Sequence, residues 1–334
     1  MPSSPGWAIL AASRYREDPA VPITVDVDNY ATAEVASQID RFVALGAVMN
    51  EWIHFRRPTP LDQQSVIRMN RDTLYSVAVV DISAGATLTV PDGLGRYMTV
   101  MVINEDGYLN RVFHEAGEHR LGVDEFDTGF VVLIGRTLAD PTDDADLTEA
   151  NRLQDGMAVL AASARTWETG QFDEASYQAV KKPLLALGAG LHDSRDTFGK
   201  KGEVDRVRFL IGSAGGFGGL PETEAYYAIR AMPLPVGRYS LTVGEVPVDA
   251  FWSISVYNRD GYFDPNDYDS YSVNSVTAVR NDDGTVSVAF GPDPGGADNF
   301  LYVTEGWNYV VRLYRPRAGI LDGTWVFPEP RPLA

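Results

Sequence analysis

The chain has 334 residues, 45% hydrophobic and 11% aromatic, enough to bury a large core and too rich for a disordered protein. Acidic residues outnumber lysine plus arginine by 46 to 28, and the formal net charge of -18 favours solubility and argues against nucleic acid as a partner. Cysteine is absent, which excludes disulfides, zinc-thiolate sites, iron–sulfur clusters and cysteine nucleophiles.

At the start of the chain, the apolar stretch 7–12 has no basic residue before it and is too short for a signal sequence. No run of about 18 apolar residues occurs anywhere, so no membrane span is expected. A cytoplasmic location is the expectation, or a periplasmic or secreted one if a signal had been removed.

Val35, Ile39, Phe42, Met49 and Ile53 recur at helical spacing, with Asp28 or Asn29 as cap, and predict a helix ending near His54. Short segments rich in β-branched and aromatic residues follow at 75–81, 86–91, 96–103, 108–113 and 129–134. Turn signals such as Pro91-Asp92-Gly93 and Glu105-Asp106-Gly107 separate them, the pattern of a sandwich or barrel. Leu153, Met157, Leu160 and Ala164 predict a second helix, with carboxylates over 143–149 loading its start. Val180, Leu184, Leu187 and Leu191 predict a third, which Pro183 kinks or restarts. A glycine-rich connector over 212–219 leads to a second β region. There Trp252, Ile254 and Val256 alternate with Ser253, Ser255 and Tyr257, and Trp307 to Tyr314 alternate likewise. Asp282-Asp283-Gly284 reads as a hairpin turn between 276–280 and 285–290. The fold class expected is mainly β with a helical connector, as two β-sandwich or jelly-roll-like domains. The expected division is 1–140, a helical connector over 141–220, and 221–334.

Several attractive motifs fail on their spacing. His114 and His119 are five apart and would diverge by about 140° on a helix, so a surface turn is the better reading. Ser213 lacks the glycine two residues earlier that a nucleophile elbow needs. The 212–219 loop also lacks the endings of dinucleotide and P-loop fingerprints. Glu51 and His54, three apart on the first predicted helix, could share a metal or a proton, but a helical histidine with ordinary partners is the commoner case. No cofactor and no metal site is called for.

What remains is a dense polar stretch. Asn70, Arg71, Asp72 and Tyr75 lead into the first strand, and Asn104, Glu105, Asp106, Tyr108, Asn110, Arg111 and His114 surround a later hairpin. If both groups share one rim of the sheet, they form a site. Asp72, with His54 or His114, would activate a water, while Arg71 and Asn104 stabilise developing negative charge. Tyr75 and Tyr108 would donate or stack. Trp252 and Tyr257, with Tyr262 and Tyr314, would wall an apolar pocket. The competing reading is structural: a buried Arg71–Asp72 pair fixing the start of the strand, with Asn70 bonding loop amides.

The stretch Met69-Asn70-Arg71-Asp72-Thr73-Leu74-Tyr75-Ser76, with Val80-Asp81, Arg96-Tyr97-Met98, Val102-Ile103-Asn104 and 132–136, resembles a bacterial family catalogued as domain of unknown function 1254. Ala250-Phe251-Trp252-Ser253, Val256-Tyr257, Asp269-Ser270-Tyr271-Ser272-Val273, 307–316 and Leu321-Asp322-Gly323-Thr324-Trp325 resemble its usual companion, domain of unknown function 1214. The resemblance implies a mainly β two-domain protein, commonly oligomeric, with many relatives exported, and it supplies no reaction. The functional expectation is a hydrolase acting on a small organic molecule between the two β domains, assembled as a homo-oligomer. The alternative is a non-catalytic module binding a carbohydrate or other small ligand.

Overall fold

The computed structural model describes residues 22–64, 66–168 and 170–333, so the stretch 7–12 lies outside the described residues. Helix α1 (Tyr30–Ala44) leads into strands β1 (Ile53–His54), β2 (Thr73–Asp81), β3 (Ala86–Val90), β4 (Met98–Asn104), β5 (Leu109–Phe113) and β6 (Gly117–Leu121). Then come α2 (Val123–Phe126), β7 (Phe130–Leu138), α3 (Asp144–Asp155), β8 (Ala158–Ala161), α4 (Glu174–Gly188) and α5 (Arg206–Gly215). The last third holds β9 (Ala225–Leu234), β10 (Tyr239–Val243), β11 (Trp252–Tyr257), β12 (Ser272–Asn274), β13 (Val286–Gly291), β14 (Phe300–Tyr302), β15 (Trp307–Tyr314), α6 (Ala318–Leu321) and β16 (Arg331–Pro332).

Among the described residues four sheets form, none closed into a barrel. A five-stranded sheet, ordered β1-β2-β7-β4-β5, packs one face on the three-stranded sheet β6-β3-β8 through Val80, Leu88, Val100, Leu121 and Leu133. Its other face meets α1 through Val35 and Ile39, and meets Phe251 and Tyr314 from the C-terminal half. Sheets β12-β11-β15-β9 and β14-β13-β10-β16 enclose a second core built on Trp252, Ile254, Val288, Trp307 and Val311. Both faces of the five-stranded sheet are thus covered, which is why β4 and β7 are buried at every position and read as continuous apolar runs.

Several expectations need correction. The first helix stops at Ala44, about ten residues early. Gly46 adopts φ +97°, its N–H donates to the Val43 carbonyl and that of Ala47 to the Phe42 carbonyl, a Schellman stop. Ala at Gly46 is expected to cost about 1 kcal/mol or somewhat more in urea denaturation, because a Cβ disfavours that conformation. His54 therefore sits on a strand. The second helix ends at Asp155, and Leu160 lies on β8, 77% exposed, instead of continuing a buried helical face. Pro183 is carried inside a continuous α4. The first half of the glycine-rich stretch is helical, since Gly212 and Gly215 belong to α5, which Asp205 caps through the Val207 and Arg208 amides. The segment 276–280 forms no strand, and β13 pairs with β10 and, in parallel, with β14. The turn at Gly284 does form, at φ +81°. Part of the stretch read as a turn between His114 and His119 is β6, paired with β3.

At the far end of β2, Asp81 is fully buried. It accepts from the Arg165 N–H at 2.8 Å, the Arg165 guanidinium at 3.1 Å and the Ser83 hydroxyl at 2.7 Å. Burial alone would raise its pKa, but these bonds from Arg165 and Ser83 outweigh it and hold the carboxyl well below the usual range. A depressed folded pKa gives stability that is present above the unfolded value of about 4 and lost as pH falls through the folded one. Asp81→Asn is therefore expected to cost about 1.5–3 kcal/mol at pH 7. Its gap to the wild type should narrow only below about pH 4, which urea denaturation at several pH values checks.

Candidate functional site

Segment 70–75 closes a seam between the two halves. Asn70 Oδ1 accepts the Asp72 N–H at 2.9 Å, while its Nδ2 donates to Thr73 Oγ1 at 3.0 Å and to the Tyr75 hydroxyl at 3.2 Å. This local turn aims Asp72 away from its own sheet. Asp72 is 2% exposed and accepts hydrogen bonds from Ser253 Oγ on β11 at 2.5 Å and Ser272 Oγ on β12 at 2.8 Å. Arg71 does not pair with it. Its guanidinium donates to the Thr59 carbonyl at 2.7 Å and lies 5.2 Å from the centre of the Tyr271 ring. Burial draws the Arg71 pKa down, against the opposing pull of Tyr271 and Asp269.

The alternation along β11 explains what faces this seam. Trp252, Ile254 and Val256 enter the second core, and Trp252 meets Phe327 edge-on at 5.4 Å. Ser253, Ser255 and Tyr257 point the other way. Arg312 of β15, 4% exposed, donates to Ser255 Oγ at 2.9 Å, the Tyr257 hydroxyl at 2.8 Å and the Arg68 carbonyl at 2.7 Å. The Tyr257 hydroxyl in turn donates to the Met69 carbonyl at 2.9 Å. Burial would lower the Arg312 pKa, but Tyr257, Tyr314 and Asp72 more than offset it and keep the guanidinium charged. Asp72 and Arg312 thus each reach across the seam, Asp72 to Ser253 and Ser272 and Arg312 to the Arg68 carbonyl, and Asp72 is all but closed off from solvent.

The expected single rim is divided. β4 runs parallel to β2, because each is antiparallel to β7 between them. Asn104 therefore lies in the row of Val131 and Val80, seven residues, about 24 Å, from the Thr73 end. There Asn104 organises its own turn, accepting the Asp106 and Tyr108 amides and donating to the Phe126 carbonyl. Tyr108 stacks on Phe209 at 4.5 Å. His54 and His114 flank opposite edges of the five-stranded sheet, on the order of 19 Å apart at four strand spacings. His54 Nδ1 is 2.8 Å from Ser76 Oγ, and the ring stacks on Trp52. Burial, then Arg56, lowers its pKa against the pull of Asp155, so the ring is neutral at pH 7.

Antiparallel β5 returns His114 to the rim where β2 begins. There its Nε2 is 2.5 Å from Glu224 Oε2, both side chains about three-quarters buried. Nε2 faces that carboxylate, and Nδ1 has no hydrogen-bond partner among the described residues. The Tyr97 ring stands edge-on to the imidazole at 6.5 Å. Glu224 also lines a cleft of about 350 Å³ between β5 and segments 196–203 and 221–224, within the size range of small-molecule sites. Asn110, Val112, Lys200, Glu203 and Glu222 line the same cleft. Asn110 Oδ1 is buried there with no hydrogen-bond partner. Burial, helped by Asp196 and Asp193, raises the Glu222 pKa, while the Asp196 N–H and Arg195 oppose it. No grouping of three or more His, Asp and Glu able to hold a metal occurs among the described residues.

The sequence did not single out Glu224, Ser253, Ser272, Arg136 or Arg312 as site residues. Arg136 and Arg312 did leave a signal, a charge inside an otherwise apolar or aromatic strand. The pairing of Glu224 with His114 left none, since 110 residues separate them.

Fold and seam together define a β-rich protein whose two sheet-on-sheet units are locked by a buried polar layer. Two family models match the chain in tandem: residues 49–117 match "Protein of unknown function (DUF1254)", and residues 235–318 match "Protein of unknown function (DUF1214)". The first contains Asp72 and His114 and the second Ser253, Ser272 and Arg312, whereas Arg136 and Glu224 fall outside both. No curated protein matches the chain. Among solved structures, the VPA0106 protein from Vibrio parahaemolyticus is similar over 92% of this chain and 98% of its own, at 19% identity and a TM-score of 0.71. A putative uncharacterized protein from Burkholderia cenocepacia is similar over 86% of this chain and 84% of its own, at 14% identity and a TM-score of 0.50. Both likenesses concern the fold. No helix among the described residues is long and apolar enough to cross a membrane.

Proposed function

We propose that the protein is a hydrolytic enzyme for a small polar organic molecule bound in the cleft beside β5, with His114 as general base and Glu224 as the group that orients it. The observation that carries this reading is the 2.5 Å contact of His114 with Glu224, a residue that lines a cleft large enough for a substrate. A carboxylate fixing one imidazole nitrogen leaves the other free to take a proton from water, the arrangement general-base catalysis requires. Asn110, Lys200 and Glu222 would orient the substrate through hydrogen bonds.

In this reading Asp72 holds the two halves together and takes no part in proton transfer. Panels of esters, lactones, amides and glycosides test the proposal. Turnover of one of them that is lost in His114→Gln supports it. Binding without turnover would favour a non-catalytic small-ligand module instead.

A further inference from the structure

Strand β5 ends its sheet and pairs with β4 on one side only. An edge strand presents a row of main-chain N–H and C=O groups, which folded proteins ordinarily cover, charge or twist away. The connector between α4 and α5 covers part of the β9 edge in this way. There the Ile229 N–H donates to the His192 carbonyl at 2.8 Å and the Tyr227 N–H to Ser194 Oγ at 3.2 Å. On β5 the same connector closes only the first residue, where the Leu109 N–H donates to the Gly199 carbonyl at 2.9 Å. Past that point no main-chain group on the outer side of β5 has a hydrogen-bond partner among the described residues. The cleft of about 350 Å³ lies there instead, with Asn110, Arg111 and Val112 along its strand wall. The facing wall is acidic: Asp196, Glu203, Glu222 and Glu224 line it, against Lys200. None of these four carboxylates forms an ion pair with a lysine or arginine among the described residues, and Glu224 meets only His114. Arg195 and Arg208 are engaged by Asp193, and Arg111 by Glu125 at 2.9 Å.

We propose that the open edge of β5 receives a short extended peptide carrying lysine or arginine, which extends the five-stranded sheet inside the cleft. The inference rests on the cleft assigned above as the substrate site and names the substrate class, a basic oligopeptide. Main-chain groups repeating at about 3.4 Å per residue along a strand are matched in register by another extended amide chain. Basic side chains on that chain meet carboxylates that have no cation of their own, which selects against neutral and acidic peptides. Hydrolysis of such a peptide consumes water alone. The C–N bond breaks, the oxygen of water bonds to the carbonyl carbon, and a proton passes to the leaving amine.

Calorimetric titration of the whole protein with tetrapeptides blocked at both ends tests the inference. A peptide of alternating alanine and lysine should bind about tenfold or more tightly than its alanine–glutamate counterpart. The same lysine peptide methylated at its peptide nitrogens should lose that binding, because it can no longer donate to a strand edge. Glu203→Gln combined with Glu222→Gln should bring the lysine and glutamate peptides close to parity. Equal affinity for the two peptides in the wild type, no binding of either, or binding that survives methylation overturns the inference. Selective binding without cleavage supports it and counts against hydrolysis alone, whereas turnover of an ester or lactone with no peptide bound overturns it and leaves the hydrolytic reading standing.

Discussion

Asp72→Asn is expected to lower the unfolding free energy by about 2–4 kcal/mol, while its folded fraction keeps the wild-type turnover number. The carboxylate is 2% exposed and accepts two hydroxyls from strands of the other half, beside the buried Arg312. An amide keeps one acceptor oxygen but turns an N–H₂ toward a serine and removes the negative charge beside Arg312. Both changes fall on the folded state. The sequence alone suggested the opposite outcome, lost turnover with an unchanged melting temperature. Urea denaturation followed by activity per folded molecule separates the two, and a stable, inactive Asp72→Asn protein would restore Asp72 to the chemistry.

His114→Gln is expected to lower turnover by about 10²–10⁴-fold with little loss of stability, the usual contribution of a positioned general base. Glu224→Gln should lose less, because the amide still fixes the ring while no longer stabilising the imidazolium that forms. A wild-type rate in His114→Gln would remove the residue from the mechanism.

Much of the fold was legible because local pattern and final environment agree. The strands β2, β4, β5, β7, β11 and β15 carry β-branched and aromatic runs bounded by glycine and aspartate turns, and each formed within a few residues of its expected span. Alternation on β11 was legible, but it separates Trp252, which enters the second core, from Tyr257, so the two do not wall one pocket as expected. Failures came where nonlocal pairing overrode local spacing. Ile53 and His54 fit a helical period, yet Gly46 stops the helix and β1 is captured by β2 at Val77 and Ser76. Leu160 fits the face of Leu153 and Met157, yet it pairs with Thr87 on β3.

The site was harder to read, because strand direction decides which rim a residue reaches. Asn104 and Asp72 sit at opposite ends of the sheet only because β7 lies between β2 and β4, and no residue near either announces that order. His114 was visible as a candidate. Its partner Glu224 was not, being placed by the turn before β9, where the Arg315 N–H donates to its carbonyl. The seam explains why the polar stretch 70–75 is so dense. Joining two sheet faces whose exposed rows are serine, tyrosine and arginine requires matching acceptors, and Asp72 with the carbonyls of Arg68 and Met69 supplies them.

The most direct test of this division between a structural seam and a chemical cleft is a crystallographic screen of small polar fragments against the whole protein. The account predicts fragments clustered between β5 and segment 221–224, in contact with His114, Glu224 or Asn110. Fragments bound at Asp72 between Ser253 and Ser272, with the cleft empty, would contradict it.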